Sequence, residues 1–420
     1  MTNLDIIAAA FKVWGREFYL DTSLSQVARE LGVSKSAFYR HFRNKQALLD
    51  AMIDHFFDDF SAFIKADYEK ALHSGDHVKG MFILIRAIAK YYTQNVNAFL
   101  FSMIKLYDYH HCNRNLPEEL RSRGVDFGVF YNVIANPLIM QCIFTTLTFF
   151  MAVFHSQTKF RTNPPSDEVV SQIIDTIIAI IDRGLCYNGK EIWTLDYEAL
   201  ENLVTATIND IEDDPLLKAV AGAVAQAGPW EASMEQVARR SGLAKSSLYG
   251  HFKNKQDMLQ QLFMTEFLRI IDFAQQGVRQ SAVPLERFYL VIFSIAVYLR
   301  SKPNILIALD WIRTRRLDFK KNNNKRPIMA MDDGKNGLPR EFQRLFRDIE
   351  INPLPGTVRS ETSHGGNNSG GMDNKQLIPH WILFLIVNTL MRPGGSDKVK
   401  NEDIRYLYRF LTLGVKGFEV

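Results

Sequence analysis

The sequence predicts an all-α chain in which one helical unit occurs twice in tandem, and three observations carry that fold class. Residues 23–49 read S-L-S-Q-V-A-R-E-L-G-V-S-K-S-A-F-Y-R-H-F-R-N-K-Q-A-L-L, and residues 233–259 read S-M-E-Q-V-A-R-R-S-G-L-A-K-S-S-L-Y-G-H-F-K-N-K-Q-D-M-L. The offset of 210 (233 − 23) is half of the 420-residue chain, and 15 of the 27 paired positions are identical without a gap. Such agreement marks the duplication of a unit of about 210 residues. Outside this block apolar residues recur at helical spacing, and few stretches alternate with period 2 between turn residues, so almost no sheet is expected.

The elements follow in order. Ile6, Ile7, Ala10, Phe11 and Trp14 form one helical stripe. Leu48, Leu49, Met52, Ile53, Phe56, Phe57, Phe60 and Ile64 form the stripe of a longer helix. Further helices are expected over 77–96, 97–111, 117–135, 137–157 and 166–187. Residues 188–213 join the copies, with Y-N-G-K as a turn and a helix near 196–210. The second copy repeats the theme at 214–227, 256–280, 284–301, 303–317, 339–349, 375–391 and 399–418. The least ordered stretches are expected at 318–337 and 352–374, where H-G-G-N-N-S-G-G cannot bury a core.

Composition sets outer limits. Hydrophobic residues at 47% and charged residues at 23% are ordinary for a globular protein and exclude wholesale disorder. An aromatic content of 12%, with 30 Phe, predicts an interior rich in rings. Cys112, Cys142 and Cys186 lie too far apart for a disulfide framework or a cysteine zinc site. The start, M-T-N-L-D-I-I-A-A-A, lacks the basic stretch of a secretory signal and reads as a helix start, so a reducing, cytoplasmic location is expected. The formal charge of +4 decides little by itself; the placement of charge decides more.

The repeated block has its own physical logic. Ser23 with Gln26, and Ser233 with Gln236, form S-x-x-Q capping boxes that open short helices. Gly32 and Gly242 fall where such a helix ends in a left-handed residue. A second helix then begins, carrying Ser34 to Phe42 and Ala244 to Phe252. Two short helices joined through a glycine turn make a helix-turn-helix, whose second helix enters the major groove of DNA. Between Arg29 and Lys45 there are five basic residues and one acid, Glu30; between Arg239 and Lys255 there are five and no acid. Two such clusters on one duplicated motif read as a phosphate-binding surface, with a solvated helix face as the bland alternative.

G-V-S-K-S-A-F-Y-R-H-F-R-N-K, preceded by an amphipathic helix, resembles the DNA-binding domain of TetR-like (tetracycline-repressor-like) transcription regulators, and G-L-A-K-S-S-L-Y-G-H-F-K-N-K matches it again. Each match spans about 50 residues; the other helices agree only in number, length and apolar character. Members of the family are usually homodimers, each subunit giving a three-helix DNA reader and a helical ligand-binding body. The resemblance therefore implies a single-chain pseudo-dimer of two tandem TetR-like units. Its readers would be residues 1–48 and 214–258, its bodies 49–187 and 259–420, and its linker 188–213. The resemblance also places Lys35, Ser36 and Ala37, and Lys245, Ser246 and Ser247, toward base edges. Tyr39, His41, Lys45, Tyr249, His251 and Lys255 would hold phosphates, with packing as the lesser reading for Tyr39 and His41. Ser34 and Arg40 complete the DNA-facing set, while Phe38, Phe42, Leu248 and Phe252 form the core face. In the second copy Gly250 stands for Arg40 and Ala244 for Ser34. A lost serine cap costs about 1 kcal/mol and a glycine inside a helix about as much. The second reader is thus expected to be weaker, or to read a different half-site.

No motif for catalysis, a cofactor or a metal emerges. Residues 184–190 fit G-x-x-x-x-G-K, but Glu191 replaces the Ser/Thr and a helix precedes the glycine, so a phosphate loop is not expected. His110, His111, Cys112 and His155 lack metal-ligand spacing. Residues 127–158 contain no Asp, Glu, Lys or Arg, long enough to cross a bilayer, yet Asn132, Asn136, Pro137 and Gln141 interrupt them. A buried bundle helix is the expected reading. Phe82, Tyr91, Phe99, Phe101, Tyr107, Tyr109, Phe130, Phe144 and Phe149 are either core or the lining of a pocket for a hydrophobic or aromatic effector. The basic stretch 313–326 reads as a solvated loop, with a second nucleic-acid contact as the minority reading. The expected function is a DNA-binding transcription regulator, most simply a repressor that leaves a double-stranded operator when it binds a small molecule, and a monomer in solution. The rival is a helical binding or scaffold protein with vestigial readers.

Overall fold

The computed structural model describes residues 2–14, 23–103, 116–131, 137–158, 166–185, 191–207, 214–315, 342, 344–346, 374–392 and 395–418. Among the described residues there is no strand; the regular structure is helical, as the sequence predicts. The first copy comprises α1 (Asn3–Trp14), α2 (Leu24–Glu30), α3 (Lys35–Tyr39), α4 (Lys45–Leu72), α5 (His77–Gln94), α6 (Val96–Phe101), α7 (Leu116–Ser122), α8 (Gly128–Tyr131), α9 (Pro137–Thr158) and α10 (Asp167–Arg183). A joining helix, α11 (Tyr197–Thr205), follows a 3-10 turn at Glu191–Thr194. The second copy comprises α12 (Pro215–Glu231), α13 (Met234–Ser241), α14 (Lys245–His251), α15 (Lys255–Val278), α16 (Pro284–Ser301), α17 (Pro303–Arg315), α18 (Asn374–Leu390) and α19 (Asn401–Leu413). The helix expected at 97–111 is described only up to residue 103. The expected loops at 318–337 and, up to residue 373, at 352–374, the basic stretch 313–326 beyond residue 315, and His110, His111, Cys112, Tyr107 and Tyr109 lie outside the described residues, as does most of 339–349.

One expected helix is two. The run 117–135 breaks after α7 because Gly124 turns left-handed at φ +81°, and Asp126 Oδ1 then accepts the Gly128 N–H at 2.8 Å to start α8. Two glycines four residues apart and an aspartate between them favour a turn over a continuous helix.

The chain divides into two compact units, Met1–Pro137 with Phe150–Ile178 and Thr314–Lys325, and Leu138–Phe149 with Ala179–Arg313 and Arg326–Val420. In the first, the core is the ring cluster that the composition predicts. Phe56 and Phe60 of α4 stack at 5.7 Å, and Phe60 meets Tyr91 of α5 edge-on at 5.1 Å. Such pairs add roughly 0.5–1.5 kcal/mol beyond the area they bury. Phe11 of α1 meets Phe101 of α6 at 4.9 Å, so the first helix of the reader rests on the body. His155, buried at the end of α9, donates from Nε2 to the Tyr92 carbonyl at 3.0 Å. Burial drives its pKa down to about 4 against the pull of that hydrogen bond, so the ring is neutral near pH 7.

In the second unit α16 is buried all round, from Phe288 to Leu299, which makes it the central helix. Its Tyr298 hydroxyl donates to Glu266 of α15 at 2.7 Å, and Arg269 pairs with the same carboxylate at 2.9 Å. The first unit repeats the device, with the Tyr91 hydroxyl donating to Asp59 at 2.8 Å. The Leu138–Phe149 part of the uncharged run also belongs to the second unit. There Thr146 accepts from Trp381 Nε1 at 3.1 Å, Gln141 donates to the Asn388 carbonyl at 2.6 Å, and Asn388 donates to Thr145. The window Leu138–His155 has the length and mean hydropathy, 1.7, to cross a membrane, but 83% of it is buried within the protein.

Two glycines close α10 and α19. Gly184 (φ +58°) and Gly414 (φ +66°) each follow the last residue of their helix, and each faces the other helix's end. A β-carbon on Gly184 would lie 2.6 Å from the Gly414 nitrogen and 2.6 Å from the Thr412 carbonyl carbon. One on Gly414 would strike the Asp182 carbonyl oxygen at 2.5 Å. The Leu185 N–H donates to the Leu411 carbonyl at 2.9 Å across the same crossing. The glycine that opened the coincidental phosphate-loop pattern thus serves a helix end and a backbone crossing.

Candidate nucleic-acid interface

The two short-helix pairs fold as their capping signals require. In α2 the Ser23 N–H donates to Gln26 Oε1 at 2.6 Å; in α13 the Ser233 N–H donates to Gln236 Oε1 at 2.7 Å, and Ser233 Oγ accepts the Gln236 N–H at 3.3 Å. Gly32 and Gly242 are left-handed, at φ +67° and +70°, with nothing within 4 Å of a built β-carbon. They are present for the conformation alone.

The helices expected near 34–42 and 244–252 are shorter than that. Helix α3 stops at Tyr39, and α14 stops at His251. After α3 the backbone tightens: the His41 N–H donates to the Phe38 carbonyl at 3.0 Å, an i+3 bond of the kind that closes many helix ends, so Arg40 and His41 lie in a turn. Ser34 caps α3, its Oγ accepting the Ala37 N–H at 3.2 Å, whereas Ala244 leaves α14 without a side-chain cap. We expect Ser34→Ala to destabilise the first reader by about 1 kcal/mol and Ala244→Ser to stabilise the second by a similar amount, read as opposite shifts in unfolding midpoint. Gly250 is not a packing requirement, since a β-carbon there would meet nothing within 4 Å.

The two readers sort their side chains alike except at two positions, where Ala37 and His41 are half-buried and their counterparts Ser247 and His251 are exposed. Phe38 and Phe42, and Leu248 and Phe252, are buried. Ser34, Lys35, Ser36 and Arg40 are exposed, as are Lys245, Ser246, Ser247 and His251. Ala37, His41, Lys45 and Lys255 are half-buried. Tyr39 and Tyr249 keep 50% and 53% of their surface exposed, large for tyrosine, while the Tyr39 ring also meets Phe38 edge-on at 6.1 Å. His41 Nδ1 lies 2.7 Å from Asn3 Oδ1 of α1, which holds the ring against the first helix.

The charges are arranged less simply than their count suggests. Glu30, the acid inside the first cluster, pairs with Lys12 of α1 at 2.5 Å. In the second copy Gly222 stands where Lys12 stands, and Arg240 where Glu30 stands; Arg240 crosses that glycine and donates to Gln226 at 2.6 Å. Arg239 pairs with Glu235 at 2.7 Å, and Arg239 first, then Lys245, hold the Glu235 carboxyl below its usual range. The cations of the recognition helices thus carry the outward charge.

Sequence reasoning missed Asn44 and Asn254. Their side chains accept the Ala47 N–H at 2.8 Å and the Asp257 N–H at 2.9 Å, capping α4 and α15 so that Lys45 and Lys255 become the first helical residues. The signal was legible, because N-K-Q before a long apolar stripe is a helix start. The start of α4, a capped asparagine and a lysine with no acid in the first turn, is electropositive and suited to an anion, whereas α15 carries Asp257 in its first turn.

The sequence pattern of bacterial regulatory proteins of the tetR family matches this chain twice, over residues 6–52 and 216–262. The chain is 40% identical over 53 residues to an uncharacterized HTH-type transcriptional regulator, YuxN, of Bacillus subtilis (strain 168), covering 13% of this chain and 18% of that protein. It is 24% identical over 111 residues to the fatty acid metabolism regulator protein of the same organism, covering 26% of this chain and 57% of that protein. The alignments thus span less than two thirds of either relative.

Proposed function

We propose that this chain, which carries two tetR-family DNA-binding domains in tandem, is a sequence-specific transcription regulator working as a single-chain pseudo-dimer. The observation that carries this reading is the duplicated surface of exposed lysine, serine and tyrosine over a buried Phe38/Phe42 or Leu248/Phe252 face. Lys35, Ser36 and Ala37 then read bases in one half-site, with Lys245, Ser246 and Ser247 in the other. Tyr39, His41 and Lys45, and Tyr249, His251 and Lys255, hold phosphates, with Ser34 and Arg40 beside them. Arg40 against Gly250 makes the half-sites unequal. The readers are 1–48 and 214–258, the bodies 49–187 and 259–420, and the linker 188–213.

The close meeting of the α10 end with the α19 end agrees with a pseudo-dimer in which the last helices of the two copies pack together. The chain acts by binding, in the cytoplasm, most simply as a repressor. A small hydrophobic molecule that fits among the rings of a body releases it from its operator; the similarity to a protein named for fatty acid metabolism agrees with an apolar effector.

The test is a footprint of the purified protein on DNA flanking its own gene, followed by sedimentation of the complex. Protection of an imperfect palindrome by one chain of 48.2 kDa is expected. Absence of protection on any duplex, or two chains per operator, would sink the reading.

A further inference from the structure

The joining helix α11 is not built like a spacer. Tyr197, Leu200, Glu201 and Val204, at i, i+3, i+4 and i+7, form a single buried face, and that face includes a carboxylate only 5% exposed. Glu201 Oε1 accepts the Tyr289 hydroxyl of α16 at 2.6 Å and Arg405 Nε of α19 at 2.6 Å. Its Oε2 accepts Arg405 Nη2 at 3.0 Å and Asn401 Nδ2 at 2.8 Å. The Arg405 fork is thus bidentate, the strong and directional form of the pair. Burial pushes the Glu201 carboxyl up, but Arg405, Tyr289 and Asn401 together outweigh it and hold it below the usual carboxylate range.

A second grip lies one turn along α19. The Arg409 guanidinium sits 4.6 Å from the Trp193 ring and 5.5 Å from the Tyr197 ring, on the turn and helix of the joining segment. The Tyr197 ring meets Tyr289 edge-on at 4.8 Å. A β-carbon at Gly277 of α15 would lie 2.7 Å from Ser294 Oγ, so that glycine serves the α15–α16 contact, and Val204 of the joining helix packs beside it at an ordinary 3.5 Å. The corresponding position of the first copy differs. Ten residues into α5, Arg86 is exposed and pairs with Asp175 of α10 at 2.6 Å, whereas ten residues into α16 stands the fully buried Phe293.

The end of the same helix α19, with Leu411 and the following Gly414, meets Leu185 and Asp182 at the end of α10. We propose that the groove between α16 and α19 is a docking surface dedicated to the joining helix, and that docking sets α19 in the position from which it meets the end of α10. The segment between the copies is therefore a latch: it belongs to the second unit, and its release loosens a crossing formed by residues it does not touch. An amphipathic helix with an acid at the fourth position after its tyrosine is the partner this groove accepts.

The test is amide hydrogen exchange on the full chain without DNA, so it is independent of the DNA-binding reading. In the unaltered chain the amides of 200–205 and of Leu185 are expected to be protected together. Glu201→Ala is expected to speed exchange in both places at least tenfold while leaving α4 unchanged. Arg409→Ala, which removes the stacking but keeps the Glu201 pair, is expected to do the same to a lesser degree, and serves if Glu201→Ala does not fold. Free exchange of 200–205 in the unaltered chain would overturn the docking. Release of 200–205 by either variant with Leu185 still fully protected would overturn the coupling.

Discussion

Gly414→Ala is expected to destabilise the second unit by about 2–5 kcal/mol, at least twice the effect of the same change at Gly242. The difference follows from two separable terms. A side chain held at positive φ costs roughly 1–2 kcal/mol because its β-carbon approaches its own carbonyl. Gly242, at φ +70° and ψ 12°, carries that term, and Gly414, at φ +66° and ψ −146°, lies in a region that essentially only glycine adopts and carries at least as much. Only Gly414 carries a second, since its new β-carbon would lie 2.5 Å from the carbonyl oxygens of Asp182 and Ile181. The obstacle is backbone, which cannot rotate away, so the helix ends must separate, at a cost of about 1–3 kcal/mol for forced overpacking. Gly184→Ala meets the reciprocal obstacle, the backbone of 412–414, and should resemble Gly414→Ala. The check is the shift of the second unit's denaturation midpoint. A loss at Gly414 no greater than at Gly242 would mean that the crossing is loose in solution.

Lys45→Ala and Lys255→Ala are each expected to weaken binding to all duplex sequences about equally. Binding falls with the 0.9 power of salt for each phosphate contact, so one contact at about 0.15 M salt is worth about fivefold, and its loss flattens the salt slope by about one unit. Two independent contacts multiply, giving about 25-fold for the double variant. Lys35→Ala should instead relax preference within one half-site, because base contacts carry sequence information. The paired design also weighs the two readers against each other. Helix α14 lacks a side-chain cap and contains Gly250, so it starts from a weaker helix than α3. If Lys255→Ala leaves affinity and salt slope untouched while Lys45→Ala lowers both, the second reader is vestigial and the protein has one working arm. Titrations at three salt concentrations with a fixed operator distinguish the outcomes.

The fold class, the duplication and the two short-helix pairs were legible in the residues alone. Those features rest on local rules: a serine and a glutamine three residues apart cap a helix, a glycine ends it, and alternating burial across Phe38 and Phe42 follows from helical spacing. Such signals are complete within a dozen residues, and they repeat at 233–259, so chance agreement is excluded. Tertiary structure alone decided the rest. That Gly184 belongs to a backbone crossing, rather than to the phosphate-loop pattern it opens, depends on Gly414, 230 positions further along (414 − 184). That the uncharged run is core depends on Trp381 and Asn388 meeting its threonines. That Glu201 on the joining helix is buried depends on Arg405 and Tyr289, and an acid among polar neighbours in a short amphipathic helix otherwise reads as solvated. In each case the deciding partner is remote in sequence, and a buried charge or a missing β-carbon acquires its reason only when the other helix is in place.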